Sequence, residues 1–109
     1  MTVNELCEKC GFSAVVVPDG DREVTGCYIG DLLSWVMGRA KGDDAWITIM
    51  SNINIIAVAS LADVSCIILA EGAQFDEATL QKAITEEIVV FTTPLPVFDA
   101  ALKVHESAD

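Results

Sequence analysis

Basic side chains are scarce in this sequence. Its six lysines and arginines stand against 17 aspartates and glutamates, and the formal net charge at pH 7 is −11. Nucleic-acid binding that ignores base sequence depends on basic residues that neutralise phosphates. We therefore expect no nucleic-acid partner, although backbone amides could still hold one small phosphorylated ligand. The same charge keeps a small apolar domain in solution.

Long apolar runs are missing as well, although 52% of the residues are hydrophobic and the mean hydropathy is +0.47. A membrane-spanning helix needs roughly 18 consecutive apolar residues. Polar side chains interrupt the most apolar stretch, residues 45–70, at Ser51, Asn52, Asn54, Ser60 and Asp63. The opening MTVNELCEKC is acidic and polar, without the basic segment of a signal peptide. We therefore expect no membrane segment and a cytoplasmic protein.

The motifs of nucleotide-binding enzymes do not occur either. The sequence contains neither G-x-x-x-x-G-K-[S/T] nor G-x-G-x-x-G, the loops that cradle phosphates in P-loop and dinucleotide-binding proteins. The single histidine, His105, has no visible nucleophile partner in the sequence. Phosphoryl transfer requires a phosphate cradle and a held metal ion. We therefore expect no kinase, phosphorylase or hydrolase activity, no catalytic residue and no cofactor.

Four cysteines are present, of which Cys7 and Cys10 form the motif C-E-K-C. A structural zinc site needs four ligands and this pair supplies two, with Cys27 and Cys66 far away in the sequence. A thioredoxin-like motif opens a helix after a strand, whereas this pair closes a helix before the first strand. We therefore expect no metal site and interpret the cysteines as reduced, partly buried small hydrophobes. Whether Cys7 and Cys10 have a redox role stays open.

Strands and helices alternate along a chain whose length suits one domain, residues 1–109. Thr2 and Glu5 have capping-box spacing, which predicts a helix to about Cys10 with Gly11 as its stop. Strands are predicted at residues 12–17, 24–29, 45–50, 65–70 and 88–92. Further helices are predicted at 31–39, from caps within 51–54 to about 63, at 76–87 and at 94–106. The alternation predicts an α/β fold with a largely parallel sheet of about five strands flanked by helices.

The helix predicted after residue 30 has a clear pattern. Asp31 suits its N-cap or first turn. Spacing places four apolar side chains on one face: Leu32, Leu33, Val36 and Met37. Trp35 and Trp46 are interpreted as core or interface anchors.

Polar residues follow the predicted strands at the positions where parallel sheets bind ligands, outside the carboxyl ends. These candidate ligand-binding residues are Gly30, Asp31, Ser51, Asn52, Glu71, Gly72, Thr92 and Thr93. Gly30 allows a backbone to approach closely, and the free amides of helices that start near Asp31, Asn52 and Pro94 could hold an anion. One hypothesis is therefore that these residues bind a small anionic or nucleotide-like ligand. The alternative is that all eight are helix caps and turn residues.

Several segments resemble a known family. Residues 2–6 and 21–25 are similar to the opening of the N-terminal domain of bacterial HPr kinase/phosphorylase, and residues 65–72 and 88–93 resemble its later half. Gly-Asp-Leu-Leu-Ser-Trp-Val, residues 30–36, is similar to a segment of stand-alone members of the DRTGG domain family.

The sequence departs from that family at the motif that names it. The Asp-Arg and Thr-Gly-Gly positions hold Ser51-Asn52 and Ala70-Glu71-Gly72, and Asp21-Arg22 is an earlier look-alike. The kinase half of HPr kinase/phosphorylase, with its P-loop, has no counterpart.

The resemblance implies an α/β fold like the N-terminal domains of HPr kinase/phosphorylase and of MurF ligases. It also implies the role of DRTGG domains beside phosphotransacetylase or CBS-pyrophosphatase parts, where regulation and dimerisation are expected. The high apolar fraction in a small domain likewise predicts a symmetric homodimer. The leading hypothesis is a non-enzymatic regulatory or small-ligand-binding module. The alternative is an interaction protein that docks on a partner enzyme of redox or carbon metabolism, and a small enzyme comes third.

Overall fold

A five-stranded sheet organises the computed structural model, which describes residues 1–107. The strands are β1 (Ser13–Val16), β2 (Gly26–Ile29), β3 (Asp44–Thr48), β4 (Cys66–Leu69) and β5 (Val90–Thr92). The helices are α1 (Val3–Cys10), α2 (Leu33–Arg39), α3 (Asn54–Ala62), α4 (Glu77–Thr85) and α5 (Val97–Ser107). The last two residues of the predicted domain 1–109 lie outside the described part of the chain.

The strand order is β1-β5-β4-β3-β2. Strands β2, β3, β4 and β5 run parallel to one another. The outer strand β1 pairs antiparallel with β5. The predicted fold class, a largely parallel sheet of about five strands with flanking helices, is therefore confirmed. Within residues 1–107, none of the helices has the length and apolar content needed to cross a membrane.

Helices cover both faces of the sheet and create two hydrophobic layers. Ile47 and Ile68 face the layer that contains α1 and α5. Trp46 and Ile67, one residue away on the same strands, face the layer that contains α2, α3 and α4. Every residue of β3 and β4 is buried, because these strands lie in the middle of the sheet. This double burial explains why the strands are apolar throughout instead of alternating.

The ends of α1 follow the sequence prediction. The Glu5 amide donates to the Thr2 Oγ1 at 3.2 Å, and the Thr2 amide donates to the Glu5 carboxylate at 2.9 Å. The second bond lowers the pKa of Glu5. Gly11 ends the helix in the left-handed conformation, with φ 71°. The capping box and the glycine stop are therefore confirmed.

Helix α2 departs from its prediction in two ways. It begins at Leu33, with Leu32 in the N-cap position and no side-chain cap, so the prediction of Asp31 as the cap was wrong. Of the predicted apolar face, Val36 is fully buried, whereas Leu32 and Met37 are exposed. Asp31 does not cap the helix because its carboxylate is hydrogen-bonded to the end of β3 instead.

One buried hydroxyl has no partner. Thr79 lies in the first turn of α4 and is 1% exposed. Within residues 1–107 its Oγ1 forms no hydrogen bond of good geometry, although the hydroxyl contributes, after the Thr79 amide, to lowering the pKa of Asp76. A buried polar group that loses its water without gaining a bond is destabilising.

We expect Thr79→Val to raise the free energy of unfolding by about 1 kcal/mol, because valine keeps the branched shape and removes the unpaired hydroxyl. Thr85→Val is the matched control, since Thr85 is exposed at the end of the same helix. Chemical denaturation of the three proteins measures both changes. A loss of stability in Thr79→Val alone would show that the hydroxyl has a partner in solution.

Candidate functional site

The four parallel strands end at the same edge of the sheet, and all eight predicted ligand-binding residues lie along it. In the order of the strands they are Thr92 and Thr93 at the end of β5, Glu71 and Gly72 after β4, Ser51 and Asn52 after β3, and Gly30 and Asp31 after β2. Hydrogen bonds divide them into two halves with different surroundings. One half follows β2 and β3, and the other follows β4 and β5.

In the β2–β3 half, polar groups tie the chain to itself. The Asp31 Oδ1 accepts hydrogen bonds from the Thr48 hydroxyl at 2.7 Å and from the Ile49 amide at 3.1 Å. The Gly30 carbonyl accepts from the Trp46 indole N–H at 2.9 Å. A Cβ at Gly30 would lie 2.9 Å from the Tyr28 ring, so a larger residue there would displace that side chain. These contacts fix the loop between β2 and α2.

The helix starts near this edge already have side-chain oxygens at their amides. The Asn52 Oδ1 accepts from the Asn54 amide at 3.0 Å, at the start of α3. The Glu71 Oε2 accepts from the Val97 amide at 3.4 Å, at the start of α5. A bound anion would have to compete with these oxygens, and at α5 it would meet a carboxylate of its own sign.

In the β4–β5 half, two loops are tied together. The Gly72 amide donates to the Thr93 carbonyl at 3.0 Å, and the Glu71 amide donates to the Leu95 carbonyl at 2.8 Å. Glu71 and Gly72 both have left-handed backbones, with φ 61° and 76°. The Thr93 hydroxyl accepts from the Leu95 amide, which holds the turn before α5.

A pocket of about 200 Å³ opens beside these loops. Its lining residues are all uncharged: Ser13, Gly72, Ala73, Gln74, Thr92, Thr93 and Pro94. A second pocket of about 220 Å³, lined mainly by apolar side chains such as Leu69 and Phe75, shares Gln74 and Thr92 with it. Together they offer hydroxyl and amide groups next to an apolar recess, which suits a neutral, flat ligand that forms hydrogen bonds.

The role of Arg22, which lies near the amino ends of the parallel strands, could not be predicted from the sequence. Its Nη2 donates to the Asp43 Oδ1 at 2.8 Å, to the Asp63 carbonyl at 2.8 Å and to the Asp63 Oδ1 at 3.1 Å. Asp43 and Asp63 both have left-handed backbones, with φ 67° and 56°. Arg22 therefore clamps two strained turns, one before β3 and one before β4. The Asp21-Arg22 pair was visible in the sequence, but its partners lie far along the chain.

Beside Arg22 is a pocket of about 300 Å³, lined among others by Asp19, Asp63, Glu86 and Glu87. It lies near the amino ends of β4 and β5, away from the predicted ligand edge. Because the guanidinium is already bonded to the two aspartates, the pocket offers an anion little attraction. We assign this region a structural role.

We expect Arg22→Met to lower the free energy of unfolding by about 2 kcal/mol, because it removes charge-assisted hydrogen bonds to two turns. Arg22→Lys should restore only part of the loss, since an ammonium group cannot bond in a fork. Lys103→Met is the control for loss of one exposed positive charge. Urea unfolding measures the free energy of unfolding of the four proteins. Equal stability of Arg22→Met and Lys103→Met would show that Arg22 does not stabilise the two turns.

The thiols of the C-E-K-C motif point to separate partners. The Cys7 thiol donates to the Phe12 carbonyl at 3.2 Å, and the Cys10 Sγ lies 3.5 Å from the Ser107 hydroxyl. Burial raises the pKa of Cys7, and it raises that of Cys66 to about 12. Within residues 1–107, no group of three or more His, Cys, Asp or Glu side chains is arranged to hold a metal ion.

We expect slow alkylation of Cys7 by iodoacetamide at pH 8, because only the thiolate reacts and a raised pKa leaves less of it. The rate at Cys7 should keep rising above pH 9, and Cys66 should react only after unfolding. Mass spectrometry of peptides measures each site, with a short unfolded cysteine peptide as reference. A Cys7 rate that levels off below pH 8 would instead identify an activated, redox-type thiol.

Comparison with known proteins shows the fold. None of the protein-family models matches this chain, and no curated protein matches it. Among solved structures it is similar to the CBS and DRTGG domains of the regulatory region of Clostridium perfringens pyrophosphatase, complexed with the activator diadenosine tetraphosphate. The TM-score is 0.78 at 16% identity, over 97% of this chain and 46% of that chain.

The likeness supports the predicted DRTGG-like fold, while the similarity to HPr kinase/phosphorylase stays a prediction. The chain spans less than half the length of the regulatory region that it matches.

Proposed function

We propose that this chain is a non-enzymatic regulatory module that binds a small ligand at the carboxyl ends of β4 and β5 and acts as a homodimer. The observation that carries the proposal is the uncharged pocket bounded by Ser13, residues 72–74 and residues 92–94. No lining residue is a His, Cys, Lys, Asp or Glu. The lining thus offers groups that bind, without a general base or an activated nucleophile.

The chemistry of the pocket narrows the ligand class. Hydroxyl groups of Ser13 and Thr92 and the amide of Gln74 can donate and accept hydrogen bonds. The neighbouring recess, with Phe75 and Leu80, can take a flat apolar ring. The Glu71 carboxylate at the start of α5 opposes a phosphate at that helix end. The ligand we propose is therefore a nucleotide-like molecule bound through its nucleoside part, with any phosphate directed to solvent.

Adenine compounds are the first to test, because the structurally similar pyrophosphatase region was solved with an adenine dinucleotide activator. A ligand at 100 times its dissociation constant adds about 2.7 kcal/mol to the stability of a protein that binds it only when folded. We expect adenosine, AMP and diadenosine tetraphosphate each to raise the melting temperature by several degrees. The similar size of the three shifts would show that the nucleoside part supplies most of the binding.

Variants locate the binding site. Thr92→Val and Ser13→Ala should reduce the ligand-induced shift at least about fivefold. The melting temperature without ligand should change little, because both substitutions are small and lie in the lining of an open pocket. Asn52→Ala is the control, since Asn52 lies in the β2–β3 half of the edge. Titration calorimetry measures the dissociation constant of each variant for the ligand. Absence of any shift with millimolar adenine compounds, or equal shifts in all variants, would contradict this assignment.

A second candidate function is docking on a partner enzyme. Large hydrophobic side chains are exposed near the ends of β2 and β3; Leu32 and Trp35 are 58% and 53% exposed. Their exposure favours contact with a partner protein. Apolar patches on small domains commonly mark such contacts.

A further inference from the structure

The two pockets at the end of β5 both lie across the line where β1 and β5 pair. Ser13 of β1 and Thr92 of β5 are opposite one another in the ladder, and both line the pocket of about 200 Å³. Val15 of β1 and Val90 of β5 line the neighbouring recess of about 220 Å³. Each pocket therefore takes part of its wall from β1, and neither is complete unless β1 is paired with β5.

Few contacts hold β1 to the sheet. The strand has four residues, of which the first three are exposed and only Val16 is buried. Within residues 1–107 it pairs with β5 alone, and the register shifts between Ala14 and Val16. That shift leaves Val15 as an extra residue without a partner on β5. Segments with few buried contacts open locally more easily than the centre of a fold.

Val16 is the side chain that anchors β1. It pairs in register with Val90 and lies with it in the hydrophobic layer that contains α2, α3 and α4. Its side chain is 8% exposed, whereas that of Val15 is 43% exposed. Val16 is absent from the lining of both pockets. It can therefore affect a ligand through the position of β1 and not by direct contact.

We propose that Val16 is a positioning residue for the ligand site, because ligand binding and the pairing of β1 with β5 are coupled. The inference rests on the proposed ligand-binding function. A ligand that contacts Ser13 and Thr92 together binds the paired arrangement of the two strands and not the open one. A ligand that binds one of two arrangements shifts the population towards it. The order of this edge strand then reports that the site is occupied.

Amide hydrogen exchange of the unmodified protein, measured by mass spectrometry with and without adenosine, tests the coupling. At 100 times its dissociation constant, a ligand that requires the paired β1 lowers the open population about 100-fold. We expect exchange in residues 13–16 to slow at least about tenfold. Residues 26–29 are the internal control, because β2 is the opposite edge strand and lies away from both pockets. Exchange there through local opening should change less than about twofold.

Val16→Ala separates positioning from overall stability. It leaves the pocket lining unchanged and favours the open β1. The dissociation constant for adenosine should rise at least about threefold, because only the paired fraction binds. Val36→Ala is the matched control, since it makes the same truncation in the same hydrophobic layer at a fully buried position of α2. Urea unfolding should show a loss of stability in both variants, whereas titration calorimetry should show a loss of affinity in Val16→Ala alone.

The outcomes distinguish this inference from the proposed function. Adenosine binding without slower exchange in residues 13–16, or with equal affinity in the two valine variants, would refute the positioning role of Val16 and leave the ligand site in place. No adenosine binding by the unmodified protein would refute the ligand site and this inference with it. If Val16→Ala fails to fold, the exchange experiment on the unmodified protein decides alone.

Discussion

The burial of β3 and β4 on both faces governs the rest of this structure. With every residue of these strands inside, polar groups are restricted to the strand ends, the turns and the outer faces of the helices. The two ends of the sheet consequently differ in chemistry. The amino ends contain carboxylates grouped around one arginine. The carboxyl ends contain hydroxyls and amides, the hydrogen-bonded carboxylates of Asp31 and Glu71, and exposed apolar side chains. The ligand site that we propose lies at the carboxyl ends.

Local signals in the sequence were sufficient for most of the architecture. The Thr2–Glu5 capping box, the glycine stop at Gly11 and the continuous apolar runs of the central strands depend on near neighbours or on total burial, and each can be read from a short window. The strand ends that gather at one edge followed from the parallel arrangement. For these reasons the sheet and the location of the eight candidate residues could be predicted.

The use of individual polar groups could not be predicted, because it depends on contacts between distant parts of the chain. Asp31 resembles a helix cap in sequence but bonds to the end of a neighbouring strand, and Arg22 finds its partners 21 and 41 residues away. The exposure of Leu32 has the same origin. Helical spacing placed it on the apolar face, but the helix begins at Leu33, two residues later than predicted, and Val36 is its buried residue. Ligand specificity depends on such details, so the sequence could locate an edge but not a binding mode.

The pairing of β1 with β5 has a consequence for how the chain reaches this fold. Within residues 1–107, the first strand pairs with the last strand alone, with Ser13 opposite Thr92. During synthesis β1 must remain unpaired until nearly all of the described chain has left the ribosome. Contacts between residues so far apart in the sequence form late and slow the folding of the chain. Any chain that stops short of β5 would leave β1 as an unsatisfied strand, ready to join a sheet in another molecule.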